Sequence, residues 1–219
     1  MERTDRLAQI GFIVITVGNR GGHPARSKWY HTYGYGNLRD YGLKDKKSTI
    51  EQLANRYSFI DTSRVGITGH SGGGFMAAAA ILTYPNFYKV AVSESGNHDN
   101  NIYNRVWGES FQGVKEIINP TDTVFEFQVK TTIQLAKQLK GKLMIATGDV
   151  DNNVHPAHSI RLADALIKAK KRFDFVLLPG QSHIFGSAKE YLFWKLADYF
   201  SDNFLNTTQK NMIDIEVMN

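Results

Sequence analysis

The feature that most constrains this chain is a glycine-rich stretch at residues 66–74, which reads GITGHSGGG and carries a G-x-S-x-G pattern around Ser71. An apolar run typical of a β-strand leads into it, and a helical run of small residues, 75–82, follows it. A strand, a tight turn and a helix in this order predict a sharp corner that lifts a serine hydroxyl above a sheet. Gly69 and Gly73 are expected here because a side chain at either position would collide with the neighbouring backbone.

Such a corner makes Ser71 a candidate nucleophile. Backbone N–H groups are left without acceptors at the start of the following helix, where they can stabilise an oxyanion. The N–H of Gly72 is the candidate donor. A serine hydroxyl alone is weakly nucleophilic at neutral pH, so the chain must also supply a base.

The composition agrees with one domain and excludes several classes of function. The chain has 219 residues, of which 42% are hydrophobic, which is enough for a sizeable core. Its net charge is +5, but the one dense basic group, at 168–172, is expected to solvate a helix end, so nucleic-acid binding is not expected. Cysteine is absent, which excludes disulfides and thiolate chemistry. No apolar run approaches the roughly 18 residues of a membrane helix.

Predicted strands alternate with predicted helices, without internal repeats. This order predicts an α/β fold with a mostly parallel sheet and helices on both faces. Strands are predicted at 12–17, 64–68, 89–93, 142–147 and 173–178, and helices at 43–56, 74–83, 131–139, 156–170 and 187–204. Residues 18–42 and 94–130 are expected to be irregular, with short helical pieces at 103–109. We expect the domain to occupy 1–205, with a tail at 206–219 in which 212–217 could add an edge strand.

Three predicted loops meet at one edge of this sheet, because open α/β sheets place their chemistry at the carboxyl ends of strands. Ser71, an acidic loop at 148–153 and His183 each follow a strand, in the chain order Ser, Asp, His. His183 would take the serine proton, and an aspartate would orient its imidazole. Asp149 and Asp151 compete for the acid position, and their spacing does not separate them.

Three other histidines lie near these loops. His70 directly precedes Ser71 and is expected to point away from the site. His155 and His158 lie at the start of a predicted helix, where we expect them to cap the helix or to support the site.

Several stretches together resemble the catalytic domain of the prolyl oligopeptidase family of serine peptidases, most closely its dipeptidyl peptidase IV branch. They are residues 19–22, 33–40, 59–66, 69–73, 151–155 and 182–183, and with their surroundings they cover most of 10–205. The resemblance implies an α/β-hydrolase fold without metal or cofactor. It also implies a triad of Ser71, Asp151 and His183, because the aspartate that opens the family's D-x-N-V-H run falls on Asp151.

The resemblance also implies a peptide substrate and a set of binding residues. In that branch the asparagine of the D-x-N-V-H run, here Asn153, contacts a substrate carbonyl, and the valine, here Val154, lines a proline pocket. Tyr103 and Trp107 would be walls of the pocket for the first residue. The implied reaction is release of amino-terminal X-Pro or X-Ala dipeptides by a parent protein.

The chain departs from the family at its start. Relatives carry a β-propeller before the hydrolase domain, and early hydrolase strands supply a tyrosine to the oxyanion hole. Since residues 1–10 read as a helix already under way, we expect these parts, and some strands of the sheet, to lie before Met1. The resemblance then implies a fragment of little activity, with a propeller partner domain in a parent that is periplasmic or secreted.

Two consequences stay open at this stage. An uncovered sheet edge would promote self-association, so a homo-oligomer is one possibility. The same triad would also serve an acylaminoacyl-peptidase or a carboxylesterase, and the fold could survive as a non-catalytic binding module.

Overall fold

The computed structural model describes residues 3–206, so the expected edge strand at 212–217 lies outside the described residues. The α-helices are α1 (Arg3–Gln9), α2 (Lys28–His31), α3 (Leu43–Arg56), α4 (Gly72–Thr83), α5 (Arg105–Gln112), α6 (Ala157–Lys168) and α7 (Lys189–Phe204). The strands are β1 (Val65–His70), β2 (Tyr88–Glu94), β3 (Lys115–Ile118), β4 (Thr123–Glu126), β5 (Lys142–Gly148) and β6 (Asp174–Leu178). Short 3₁₀ helices occupy Thr32–Gly34, Ile133–Gln138 and Gly186–Ala188.

Four parallel strands in the order β1-β2-β5-β6 form the main sheet, and helices cover both of its faces. Successive side chains of a strand point to opposite faces. Ala91 and Leu143 therefore pack with α4 and α6 on one face. Val90 and Met144 pack with α1 and α7 on the other. The predicted α/β class is confirmed.

The strand register brings the predicted loops to one edge. His70 lies beside Glu94, Glu94 beside Ala146, and Gly148 beside Leu178. The carboxyl ends of β1 and β2 are therefore level, and β5 and β6 extend beyond them from Ala146 to Gly148 and Leu178. The loops that leave β1, β5 and β6 consequently emerge at the same edge of the sheet, with β2 between β1 and β5.

The predicted strand at 12–17 is wrong for this structure. The segment belongs to no sheet, and it faces β1 across a cavity of about 480 Å³. Ile13 is 54% exposed rather than buried. Within residues 3–206 no strand lies beside this segment to accept and donate its backbone hydrogen bonds, and the outer edge of β1 is open for the same reason. An apolar run indicates that a segment can form a β-strand, but the strand forms only if another strand lies beside it to share backbone hydrogen bonds.

Two other regions also differ from expectation. The helix predicted at 131–139 is a 3₁₀ helix over Ile133–Gln138. The region expected to be irregular holds α5 and an antiparallel hairpin of β3 and β4, whose turn closes when Asn119 N–H donates to Asp122 O at 2.8 Å. Among residues 3–206, none of the helices has both the length and the apolar character that crossing a bilayer requires.

Candidate active site

Ser71 occupies a strained corner between β1 and α4. Its φ of 58° and ψ of −122° lie in a region that residues other than glycine rarely adopt. A Cβ on Gly69 would overlap the backbone of Gly73, as expected. The same expectation for Gly73 is wrong, because a Cβ there meets nothing within 4 Å. The second position that excludes a side chain is Gly74, where a Cβ would lie 2.5 Å from Glu94 O.

The start of α4 supplies the candidate oxyanion donor. Gly72 is the first residue of the helix, so its N–H has no intrahelical acceptor and lies at the positive end of the helix dipole. The N–H of Ser71 is already used, because it donates to Glu94 O at 2.8 Å. The N–H of Gly72 is therefore the first one after the N–H of Ser71 that is not already donated to the sheet.

Asp151 is buried and accepts three hydrogen bonds. Its Oδ1 accepts the N–H groups of Asn153 at 3.0 Å and Val154 at 2.9 Å. Its Oδ2 accepts from His183 Nδ1 at 2.8 Å. With Nδ1 donating to the carboxylate, His183 Nε2 is the ring nitrogen left to accept a proton. Val154 itself is only 2% exposed, so its side chain is packed within the loop.

Asp149, the other candidate acid, has a different partner. Its Oδ1 accepts the N–H of Gly180 at 2.6 Å. Next to it, Val150 N–H donates to Gln181 O at 3.3 Å. These two bonds join the loop after β5 to the loop after β6. Of the two aspartates, Asp151 is the one that contacts His183.

His70 does not point away from the site as expected. Its Nε2 lies 2.6 Å from the backbone oxygen of His183, and the two imidazole rings lie 4.7 Å apart. Its ring also meets the ring of Phe185 edge-on at 5.6 Å. Sequence spacing carried no signal for this contact, because the path of the loop after β6 decides it.

Ser71 lies at the same edge of the sheet as Asp151 and His183. Within the described residues, no hydrogen bond joins Ser71 Oγ to His183 Nε2. Bonds between a nucleophile and its base are often long before substrate binds and tighten in the complex, so this separation leaves Ser71 a candidate.

Three of the predicted substrate-binding residues lie together beside the acid. The hydroxyl of Tyr103 donates to Asn153 Oδ1 at 2.7 Å, and its ring meets Trp107 edge-on at 5.4 Å. Burial, together with the nearby charge of Asp151, raises the pKa of Tyr103. The phenol consequently stays protonated at neutral pH and keeps its ability to donate a hydrogen bond.

His155 and His158 support the site from the start of α6. His155 Nδ1 accepts the N–H of Ala157 at 3.1 Å, which satisfies a donor at the helix end. His158 Nδ1 accepts the N–H of Asp99 at 3.3 Å, and its ring packs edge-on against Tyr103 at 5.7 Å. Burial lowers the pKa of His158 to about 4, so it is neutral at pH 7.

A fully buried histidine holds the segment between β2 and α5. His98 lies between Ser93 Oγ and Thr132 Oγ1, each 3.2 Å from a ring nitrogen. Burial, assisted by repulsion from His158, lowers the pKa of His98 to about 3. This segment leads into the chain that carries Tyr103, so the neutral imidazole helps to set the position of the aromatic pair.

The chain is similar to known proteins in both sequence and structure. The sequence pattern of the prolyl oligopeptidase family matches residues 2–207. Human dipeptidyl peptidase 8 is 27% identical over 184 residues, which is 83% of this chain. Among solved structures, a putative dipeptidyl aminopeptidase IV from Bacteroides ovatus matches 84% of this chain, with a TM-score of 0.74 and 28% identity. Dipeptidyl peptidase 4 from Porphyromonas gingivalis matches 85%, with a TM-score of 0.73 and 25% identity.

These proteins are much longer than the chain. It covers 20% of human dipeptidyl peptidase 8 and 25% and 26% of the two bacterial structures. The chain thus spans about a fifth to a quarter of the length of the proteins that it matches.

Proposed function

Because the chain belongs to the prolyl oligopeptidase family, we propose that it carries the catalytic machinery of a serine peptidase. Ser71 is the nucleophile, His183 the general base, and Asp151 the residue that orients the imidazole. The observation that carries the proposal is the 2.8 Å hydrogen bond between His183 Nδ1 and Asp151 Oδ2, at the sheet edge where Ser71 occupies its strained corner.

The reaction is acyl transfer. Ser71 Oγ attacks the scissile carbonyl as its proton moves to His183 Nε2, and Asp151 stabilises the imidazolium that forms. The N–H of Gly72 donates to the oxyanion. The imidazolium then protonates the leaving amine as the C–N bond breaks, which leaves an acyl ester on Ser71. Water, deprotonated by His183, hydrolyses that ester and restores the serine.

For the longer parent protein, the proposed reaction is release of amino-terminal X-Pro or X-Ala dipeptides. Tyr103 and Trp107 form the apolar walls of a slot suited to proline, and Asn153 binds a substrate carbonyl. Val154, which is almost fully buried, supports the slot from within its loop. The edge-on contact of Tyr103 with Trp107 and the bond from Tyr103 to Asn153 support this assignment. The names of the relatives, which are dipeptidyl peptidases, support it as well.

A fluorophosphonate probe tests the nucleophile, because the reagent modifies a serine only when its hydroxyl is activated. We expect one adduct per chain at Ser71, located by mass spectrometry of the digested protein, and none in Ser71→Ala. A folded chain that is not labelled would instead indicate a non-catalytic binding module.

The substrate class needs a separate test on the longer parent. Amides of Gly-Pro, Ala-Ala and acetyl-alanine distinguish the candidates. Cleavage of Gly-Pro and Ala-Ala amides, with acetyl-alanine amide spared, is the expected result. Preference for acetyl-alanine amide would assign an acylaminoacyl-peptidase or an esterase and reject dipeptide release.

A further inference from the structure

We propose that His70 is a positioning residue, which holds the loop carrying His183 against the corner that carries Ser71. The inference rests on the proposed function, since it gives His183 the role of general base. It concerns a side chain that takes no part in bond making and that acts only through the backbone of the loop.

The first observation is the direction of the hydrogen bond. A backbone carbonyl oxygen only accepts, so His70 Nε2 must carry the hydrogen that bonds His183 O at 2.6 Å. His70 is the last residue of β1, and the sheet therefore fixes its backbone. The bond connects the strand that carries the nucleophile to the residue that carries the base.

The second observation is where the other bonds of this loop lead. Gly180 and Gln181 bond the loop after β5, and the imidazole of His183 bonds Asp151 on that same loop. Among the hydrogen bonds of residues 3–206, that of His70 is the one that joins the base loop to the β1–α4 corner. Without it, the base loop is held only by its bonds to the loop after β5, so its distance from Ser71 is no longer fixed by a hydrogen bond and the His183 imidazole exchanges its Nδ1 proton with water more readily.

The third observation is the backbone just beyond the base. Phe185 has a φ of 58°, in the left-handed region that residues other than glycine rarely adopt. Its side chain is almost fully buried. Surrounding contacts must hold such a conformation in place. The His70 ring makes one of these contacts, edge-on with the Phe185 ring at 5.6 Å, so His70 restrains the loop at His183 and again at Phe185 beyond it.

A purely packing role makes a different prediction. If His70 only fills space, an aromatic ring of similar size should replace it without effect. If the hydrogen bond matters, His70→Phe should fail although it keeps the ring contacts with His183 and Phe185. His70→Gln should rescue, because its amide places an N–H donor close to the position of the imidazole Nε2–H.

The experiment is fluorophosphonate inactivation of the chain over a range of reagent concentrations, which separates the maximal rate from the half-saturating concentration. Misplacing a reacting group by about 1 Å costs up to about a hundredfold in rate. We therefore expect His70→Phe to lower the maximal rate by about tenfold or more, with the half-saturating concentration unchanged. His70→Gln should recover most of the rate. Thermal melts check that each variant is folded, and His70→Leu replaces His70→Phe if that variant does not fold.

A second readout does not depend on reactivity. The Nδ1 proton of His183, held by Asp151, should give a far-downfield proton resonance in NMR spectra, and Asp151→Asn identifies it by removing it. We expect the resonance in the unsubstituted chain and in His70→Gln, and its broadening or loss in His70→Phe. If Ser71 is not labelled but the resonance follows this pattern, the proposed function fails and the positioning role stands. If His70→Phe keeps both rate and resonance, the positioning role is overturned.

Discussion

Asp149 and Asp151 belong to one loop, but their carboxylates have different partners. Asp151 is buried and accepts two backbone N–H groups and the imidazole of His183. Asp149 accepts the N–H of Gly180 and joins two loops. Whether an aspartate of this loop bonds His183 or joins two loops therefore depends on the burial and direction of its side chain, and residue type alone does not decide it.

This pair offers a matched substitution. Asp151→Asn removes the charge that stabilises the imidazolium and favours the wrong tautomer of His183. An equivalent change in other serine hydrolases costs about 10⁴ in rate, and we expect a loss of similar order in the labelling of Ser71. Asp149→Asn keeps an acceptor for Gly180 and should stay within a few fold. Equal losses in the two variants would contradict the assignment of the acid.

Gly69 and Gly73 give a second matched pair, this time for stability. A Cβ at Gly69 would overlap the backbone of Gly73, whereas a Cβ at Gly73 meets nothing within 4 Å. Gly69→Ala should lower the free energy of unfolding by at least the roughly 1–3 kcal/mol typical of overpacking. Gly73→Ala, inside α4, should leave it unchanged or raise it by up to about 1 kcal/mol. Urea denaturation measures both, and the reverse order would contradict the described corner.

At the scale of elements, the sheet and its loops form a support for the site. The segment that follows β2 is polar but buried, and it is held by His98 between Ser93 and Thr132. Because His98 must stay neutral to remain there, the stability of this support depends on pH.

The sign of that dependence follows from the lowered pKa of His98. The unfolded chain binds a proton near pH 6.5, whereas the folded chain binds it only near pH 3. The stabilisation is therefore complete above pH 6.5 and is lost as the pH falls toward 3, by up to a few kcal/mol. His158 adds to the loss in the same direction, since its pKa is lowered to about 4.

Unfolding in urea at pH 7 and at pH 4.5 checks this prediction. His98→Gln should be less stable at pH 7 but should lose less stability on acidification than the unsubstituted chain. His23→Gln, a change at an exposed histidine, is the control and should leave the pH dependence unaltered. An unchanged pH dependence in His98→Gln would contradict the buried neutral state of this side chain.

Element prediction succeeded where the local pattern reflects the environment of a segment. The periodicity at 43–56 gave the bounds of α3, and the apolar runs gave β1, β2, β5 and β6 to within about two residues. The hairpin of β3 and β4 was missed because its strands are short and largely exposed, so they lack a buried face to detect. Residues 12–17 have the right composition for a strand, but pairing depends on a neighbour that no local pattern reveals.

The same distinction applies to the candidate site. The corner at Ser71 could be predicted because a tight turn demands small residues at fixed spacing. The choice between Asp149 and Asp151 could not be made from spacing, since both lie on the same loop. The contact of His70 with His183 could not be predicted either, because it joins two segments that are far apart in the sequence.

For the molecule as a whole, the outer edge of β1 is one of the two edges of the main sheet that stay unpaired within residues 3–206, the other being that of β6. Residues 12–17 face it across a cavity, and the described part of the chain pairs no strand with that edge. Unpaired backbone groups on an edge strand are a template for another chain. We therefore expect the isolated chain to associate with itself as its concentration rises.

Sedimentation velocity over a range of concentrations tests this expectation. Ile13 lines the cavity and is 54% exposed, so Ile13→Lys places a charge beside the edge and should reduce association. Ile160 on α6 is 55% exposed and away from that edge, so Ile160→Lys is the matched control. A chain that stays monomeric throughout, or equal effects of the two substitutions, would contradict association through β1.

The bonds that join the loops after β5 and β6 have a consequence for protein engineering. Gly180 and Gln181 join these loops through hydrogen bonds that do not involve Ser71. The positions of Asp151 and His183 relative to each other therefore do not depend on the side chain at position 71. A designer could therefore replace Ser71 by cysteine, which unlike β-branched threonine is not excluded by the positive φ of this corner, and place its sulfur beside the same bonded pair of Asp151 and His183.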